Sequence, residues 1–248
     1  MEGEISLIAE ATRHSSRFLL RDYFELESLQ SSNKAAATLN FSQKSCMKIF
    51  EALREKLGKY FSTIIFDPKD VATINFTGKA ALVEVLDGLT NLTRSLPFFA
   101  IMVTILSNKN DQIIAEKSVI NFPILGEIYY TEKGKGAWLE RHSLNLPGSM
   151  RVRVSGTENI ENAIASVNLD FLKEKKNIFD NIRIFESYTY SLSLLICGKV
   201  DAIIIEPSDI SLMGAELFIS EAGGVAYRDK GRLIASNFKL HEKIKSLI

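Results

Sequence analysis

The hydrophobic spacing of this chain changes period once, at Gly58, and that change decides what it can fold into. Before it, Ile5, Ile8, Ala9, Thr12, Ser16, Leu19 and Leu20 mark one face of a helix over residues 3–28. Cys46, Ile49, Phe50, Leu53 and Leu57 repeat at the same spacing, and Gly58 stands where a C-cap belongs, which predicts a helix over 43–57. The small, polar Ser31–Ala37 reads as the loop between them. After Gly58 come β-rich runs at Phe61–Phe66, Ala80–Leu86, Phe98–Leu106, Gln112–Asn121 and Ile124–Thr131, separated by Asp-, Asn- and Pro-bearing turns. They predict a largely antiparallel sheet.

From residue 151 the pattern alternates. Ala163–Val167, Arg183–Phe185 and Val200–Ile205 read as short buried strands, with helices at 187–197 and 209–222 between and after them and a closing helix at Lys239–Leu247. Such alternation argues for a βα layout. The expected organisation is therefore an N-terminal α+β part, 1–150, and a C-terminal α/β part, 151–248, within one compact unit. The 248 residues suffice for a substantial core.

Charge excludes some functions. The 30 basic and 30 acidic side chains cancel, and no Lys/Arg block supplies a footprint for nucleic acid or an anionic membrane. The run Ile101–Leu106 is of strand length, not membrane length. Cys46 and Cys197 lack metal-ligand spacing and predict reduced, mostly buried thiols. Met1–Glu10 carries three acids and no apolar stretch, so the expected location is cytoplasmic. His14, His142 and His241 belong to no constellation and are expected at the surface, while Phe98, Phe99 and Trp138 are expected in the core.

Two stretches carry chemistry. In Glu84-Val-Leu-Asp87-Gly88-Leu89-Thr90-Asn91, two carboxylates three apart end an apolar strand. A strand tip of this kind suits a hard divalent cation; an ordinary acidic Asp-Gly turn is the alternative. In Asp201-Ala-Ile-Ile-Ile-Glu206-Pro-Ser-Asp209, Asp209 precedes an apolar-periodic run. It can serve as a helix N-cap or hold a cation whose phosphate faces the helix amides.

Together and in this order the two stretches resemble the inositol monophosphatase family. Its Asp-Pro-Ile-Asp-Gly-Thr-Thr-Asn is matched by Glu84–Asn91 and its Pro-Phe-Phe strand by Pro97–Phe99. Its Gly-x-x-Tyr and Gly-x-Gly-Ala-Trp segments are matched by Gly126–Tyr129 and Gly134–Trp138, and its closing Glu-Ala-Gly-Gly by Glu221–Gly224. Gly198–Ala202 resembles the family's Gly-Arg-Leu-Asp-Ala. The resemblance implies a layered α/β/α/β/α sugar-phosphatase fold, a Mg²⁺-dependent hydrolysis of a small polyol or sugar phosphate, and a homodimer. It implies metal ligation by Asp67, Glu84, the Leu86 carbonyl, Asp87 and Asp209, with Glu84, Asp87 and Asp209 as the catalytic set, and substrate contacts from Gly88, Thr90, Ser187 and Glu206.

The match departs from the family pattern at several of these places. Glu84 replaces an aspartate that bridges two metals, and Leu89 replaces the threonine that ligates a metal and orients the attacking water. The upstream Gly-Glu-Glu is replaced by Ile64-Ile-Phe-Asp67-Pro68, and the Gly-Ser/Thr-Ala-Ala turn that holds substrate hydroxyls by Glu186-Ser187-Tyr188-Thr189. These losses imply impaired hydrolysis. They leave open a second role, as a weak or inactive member that binds a protein partner, the extragenic-suppressor branch of the family being linked to RNA polymerase and RNA processing.

Overall fold

The structure, a computed structural model, describes residues 3–31, 35–67, 70–71, 74–110, 112–141, 148–175, 178–205, 212–229 and 231–248. Its first layer is helical. The single helix expected over residues 3–28 is two, α1 (Gly3–Ser15) and α2 (Leu19–Ser31). The break has a local cause: the hydroxyls of Ser15 and Ser16 bond back to the carbonyls of Ala11 and Thr12 at 2.8 Å each, competing with the backbone ladder. The next helix, α3 (Ala35–Leu57), begins well before the predicted residue 43, inside the segment read as a loop.

Beneath this layer lies a seven-stranded sheet in sequential order: β1 (Thr63–Ile65), β2 (Gly78–Asp87), β3 (Ala100–Lys109), β4 (Gln112–Phe122), β5 (Glu127–Glu132), β6 (Ala137–Arg141) and β7 (Ser149–Val152). Only β1 and β2 run parallel; every other neighbouring pair is antiparallel. Between β2 and β3 the chain makes a short helix, α4 (Leu89–Thr93). The alternation of a pleated strand then assigns side chains to faces. Ile101, Val103 and Ile105 of β3 pack with α1, α2 and α3, whereas Ala100 and Met102 point the other way.

A five-stranded sheet follows β7. Its strands are β8 (Ile164–Val167), β9 (Asn181–Arg183), β10 (Ala202–Ile205), β11 (Gly224–Asp229) and β12 (Arg232–Asn237), arranged β11-β12-β10-β8-β9. β10, β8 and β9 are parallel, as the βα pattern predicts, and the hairpin β11–β12 adds an antiparallel edge. β10 is apolar on both sides. Ile203 and Ile205 join one core, Ala202 and Ile204 another, so the strand is covered on both faces.

The helices α6 (Tyr188–Ile196) and α7 (Met213–Glu221) fill the space between the sheets. Leu192, Leu195 and Ile196 of α6 and Ala215, Phe218 and Ile219 of α7 meet Met102, Ile120, Phe122 and Leu139 from one sheet and Ile203, Leu233 and Ala235 from the other. On the far side of the second sheet, α5 (Leu169–Glu174) and α8 (Phe238–Leu247) contribute Phe171, Leu240 and Ile244. The architecture is thus a five-layer α/β/α/β/α stack, with α6 and α7 as its middle layer. Burying each large aliphatic side chain in such a core contributes about 1.5–3 kcal/mol. His241, expected at the surface, is buried on α8 against Tyr227, ring centroids 5.2 Å apart. Among the described residues, no helix is long and apolar enough to cross a membrane.

Candidate metal and phosphate site

The site is built where β2 ends against the start of α6. On a regular strand, residues three apart face opposite sides. Here Glu84 pairs with Met102 and Asp87 with Ala100, so β2 spends one residue more than β3 over this stretch. That bulge turns Glu84 and Asp87 to the same side, toward α6. The turn that follows needs Gly88. Its φ is +84°, and a Cβ there would stand 2.5 Å from the carbonyl oxygen of Phe98.

α6 meets the two carboxylates with hydrogen-bond donors. Oδ2 of Asp87 accepts from the hydroxyls of Ser187 and Thr189, both at 2.6 Å, and from the Thr189 amide at 2.9 Å. Oε2 of Glu84 accepts from the phenol of Tyr188, whose oxygen also lies 3.4 Å from Sδ of Met102. Ser187 is the N-cap of α6 and accepts from the Tyr190 amide. Asp87 therefore sits at a helix N-terminus, where amide dipoles present positive charge.

Burial dominates the electrostatics of the group. It pushes the Glu84 carboxyl well above its ordinary range; the Asp87 charge adds to this, and the Tyr188 bond only partly offsets it. Burial likewise raises Asp87 despite its bonds from Ser187, Thr189 and the Gly88 amide. The Tyr188 phenol is raised by burial and then by the neighbouring carboxylates, so it stays a hydrogen-bond donor.

Two further features brace this junction. Asn91, buried on α4, donates to the carbonyls of Phe98 and Phe185, both at 2.8 Å, tying the end of β2 to the turn before α6. In that turn Glu186 stands where the resemblance has glycine, and its φ of +52° lies in the left-handed region. A non-glycine residue there stores about 1–3 kcal/mol of strain, offset by the bonds the turn makes possible. Phe98 stacks at 4.5 Å from Tyr190 and 5.9 Å from Phe185, closing the junction with aromatic rings.

The remaining expected site residues are placed as follows. Asp67 lies two residues past β1, which runs parallel to β2 with Ile65 level with Leu82, so it leaves the sheet at the same end as Glu84, exposed to solvent. Leu86 and Leu89 are half-buried against the core beneath α1–α3. Thr90 is exposed. Glu206 and Asp209 lie outside the described residues.

Magnesium takes oxygen ligands in near-octahedral array at about 2.0–2.1 Å. At this junction Oδ2 of Asp87 and Oε2 of Glu84 face hydroxyl and amide hydrogens instead, and Leu89 offers no side-chain oxygen. Among the described residues, no group of three His, Cys, Asp or Glu side chains forms a metal-binding cluster. As arranged, these residues do not fit a Mg²⁺ ion. Sequence reasoning registered Tyr188 only as a lost alanine. The signal it carried was a large hydroxylated side chain in a small-residue turn, directly facing the strand tip.

A second pair of family-like segments has a structural reading. Glu221, at the end of α7, accepts from the amides of Gly134 and Gly136 at 2.6 and 2.7 Å. The Gly-x-Gly turn and the Glu-Ala-Gly-Gly helix end are thus two halves of one clasp between the β5–β6 turn and the middle helical layer.

Comparison with known proteins agrees with this architecture. The family model described as "Inositol monophosphatase family" matches residues 41–244. The inositol-1-monophosphatase of Caulobacter vibrioides is 28% identical over 261 residues, with 95% of this chain and 96% of that protein covered. A Pseudomonas aeruginosa protein named Nus factor SuhB is 22% identical, with 100% of this chain and 96% of that protein covered. Among solved structures, the extragenic suppressor protein suhB from Bartonella henselae superposes with a TM-score of 0.76 at 22% identity, covering 99% of both chains.

Proposed function

The chain belongs to the inositol monophosphatase family, and from that premise we propose that it is a member whose hydrolytic centre is shut down and which works as a binding or regulatory protein. The observation that carries this reading is the filling of Asp87. Its Oδ2 already accepts three hydrogen bonds from Ser187 and Thr189. A cation at that oxygen would have to displace them, and one anywhere on the carboxylate would sit against the positive end of α6. Glu84 accepting from Tyr188 and Leu89 offering no oxygen support the same conclusion. One relative matched along its length is named a Nus factor rather than a phosphatase, which supports the RNA-polymerase or RNA-processing machinery as the partner class.

A second reading is a slow Mg²⁺-dependent phosphatase for small polyol or sugar phosphates. The retained Gly88 turn and the Asn91 brace favour it, because they keep the strand tip where a phosphate-facing loop belongs. In that reading the cation would supply charge stabilisation to the leaving oxygen, and Ser187 and Thr189 would first have to release Asp87. The expectations of a homodimer and a cytoplasmic location go with both readings.

Phosphate release from a panel of polyol and sugar phosphates, with Mg²⁺ and with a chelator, tests the choice. The expected outcome is no metal-dependent release above a buffer blank. Mg²⁺-dependent turnover near 1 s⁻¹ or above, at the lower end of ordinary enzyme rates of about 1–10³ s⁻¹, would establish the phosphatase reading instead.

A further inference from the structure

We infer that Tyr188 and the first turn of α6 replace a divalent cation at the β2 tip, so that Glu84 and Asp87 act as a hydrogen-bonded fastener between the two halves of the fold and require no metal. The inference deepens the reading of the site as non-hydrolytic and rests on it.

Two half-buried carboxylates side by side must be compensated, since desolvated charge without partners is costly. A cation is one solution; an array of donors is another. This chain builds the second. The Tyr188 phenol, buried and beside Met102, donates a hydrogen bond to Glu84. The Ser187 and Thr189 hydroxyls and the Thr189 amide all go to Asp87. The donors come from three consecutive residues, which requires the chain to enter α6 through a fixed turn. The left-handed Glu186 provides that turn, and the Asn91 amide holds the preceding Phe185 carbonyl at 2.8 Å. The fastener thus links β2 and α4 of the first half to the turn and helix of the second. The donor-bearing residues Tyr188 and Thr189 stand at the two alanine positions of the resembled turn, where no side-chain donor is available.

Thermal unfolding of the full-length protein in chelator and in millimolar Mg²⁺, together with calorimetric titration of Mg²⁺, tests this without reference to turnover. The wild type is expected to melt at the same temperature in both buffers and to give no saturable heat. Tyr188→Phe keeps the ring and removes the donor, leaving the half-buried Glu84 oxygen without that bond. It is expected to melt lower, by roughly 2–4 °C for each kcal/mol lost in a chain of this size, and by the same amount in both buffers. A wild type stabilised by several degrees in Mg²⁺, or binding it with a saturable isotherm, would overturn the inference. So would a Tyr188→Phe protein that melts with the wild type. If that variant fails to fold, the wild-type titration decides alone. Phosphate release separates this from the function proposed above: Mg²⁺ binding without release overturns the fastener and spares the silent-enzyme reading, whereas release in chelator does the reverse.

Discussion

Asp87 and Thr189, 102 residues apart, meet through two hydrogen bonds to one oxygen: the Thr189 hydroxyl reaches Oδ2 of Asp87 at 2.6 Å and the Thr189 amide reaches it at 2.9 Å. The side-chain bond is a feature of this sequence, and the backbone bond depends on α6 starting at Tyr188. An acid at a strand tip is thereby made into a cap for a helix from the other half of the chain.

Asp87→Asn should therefore destabilise the fold in the absence of any metal. The amide replaces a charged acceptor with a neutral one, so the bonds from Ser187 and Thr189 are weakened even where the amide oxygen takes the place of Oδ2. Hydrogen bonds to a charged group contribute about 1.5–3 kcal/mol each, and the loss here should fall in or above that range. Urea unfolding in chelator measures it. Thr189→Val, which removes the hydroxyl and leaves the amide bond, should cost less, at the lower end of the range for one such bond, about 1.5 kcal/mol. An Asp87→Asn protein as stable as the wild type would mean that the carboxylate does not hold α6.

The layered fold was legible in the sequence because the period change at Gly58 and the ordered motifs each survive local noise. The two-carboxylate strand tip was legible too. What it does was not, for reasons that lie in geometry. The bulge between Glu84 and Asp87 has no residue signature, yet it alone turns both acids toward α6. The partners of those acids lie about a hundred residues away, and no local pattern pairs them. The hairpin β11–β12 went unread because only half-buried and exposed residues make up β11, an edge strand with a weak apolar pattern. The buried His241 was misplaced at the surface because the charged Glu242 and Lys243 beside it conceal that Leu240, His241 and Ile244 form the inner face of α8.

Glu221→Ala should loosen the clasp between α7 and the β5–β6 turn. It orphans the amides of Gly134 and Gly136, of which the second is partly buried. Water can replace the carboxylate at the exposed amide, so the loss should be nearer one charged hydrogen bond than two, about 1.5–3 kcal/mol. A drop in melting temperature, with hydrogen exchange faster at Gly134 and Gly136 than at α6, is the expected result. Uniformly faster exchange would show that Glu221 acts on global stability rather than on this clasp.

His241 makes stability pH-dependent in a known direction. Burial holds its imidazole below the ordinary value of about 6.5; the Lys245 charge adds to this, and the Glu242 charge opposes it. Its other neighbours, the Tyr227 ring and the Ser236 hydroxyl at 3.4 Å from Nδ1, bring no charge of their own at neutral pH. A depressed folded-state pKa means that the unfolded chain binds the proton more readily. The stabilising contribution is then complete above pH 6.5 and is lost as pH falls through the folded-state value, at no more than about 1.4 kcal/mol per pH unit. Urea unfolding of wild type and His241→Phe at several pH values should show the wild type losing more stability than the variant on acidification. Parallel curves would mean that His241 is not the titrating group.

The last prediction concerns Leu89, which stands where the family resemblance places a threonine that ligates a metal and orients water. If that leucine were the only defect, Leu89→Thr would restore Mg²⁺-dependent phosphate release, mainly in kcat, because both lost contacts act in the transition state. Loss of a single such group costs about 10²–10³-fold, which a single substitution would then recover. The structure argues for a different outcome. Leu89 is half-buried against the α1–α3 core, so threonine there loses packing, while Glu84 and Asp87 remain filled by Tyr188, Ser187 and Thr189. Groups that share one site are not additive, and the hydroxyl has no effect until the carboxylates are released. Leu89→Thr alone, and with Glu84→Asp, should therefore give no release above the blank. Only the set that also carries Tyr188→Ala and Thr189→Ala, which frees Glu84 and removes a side-chain donor from Asp87, should begin to show metal-dependent turnover. Robust turnover from Leu89→Thr alone would prove that Tyr188 is no barrier to metal, and that the phosphatase centre of this chain is one substitution from working.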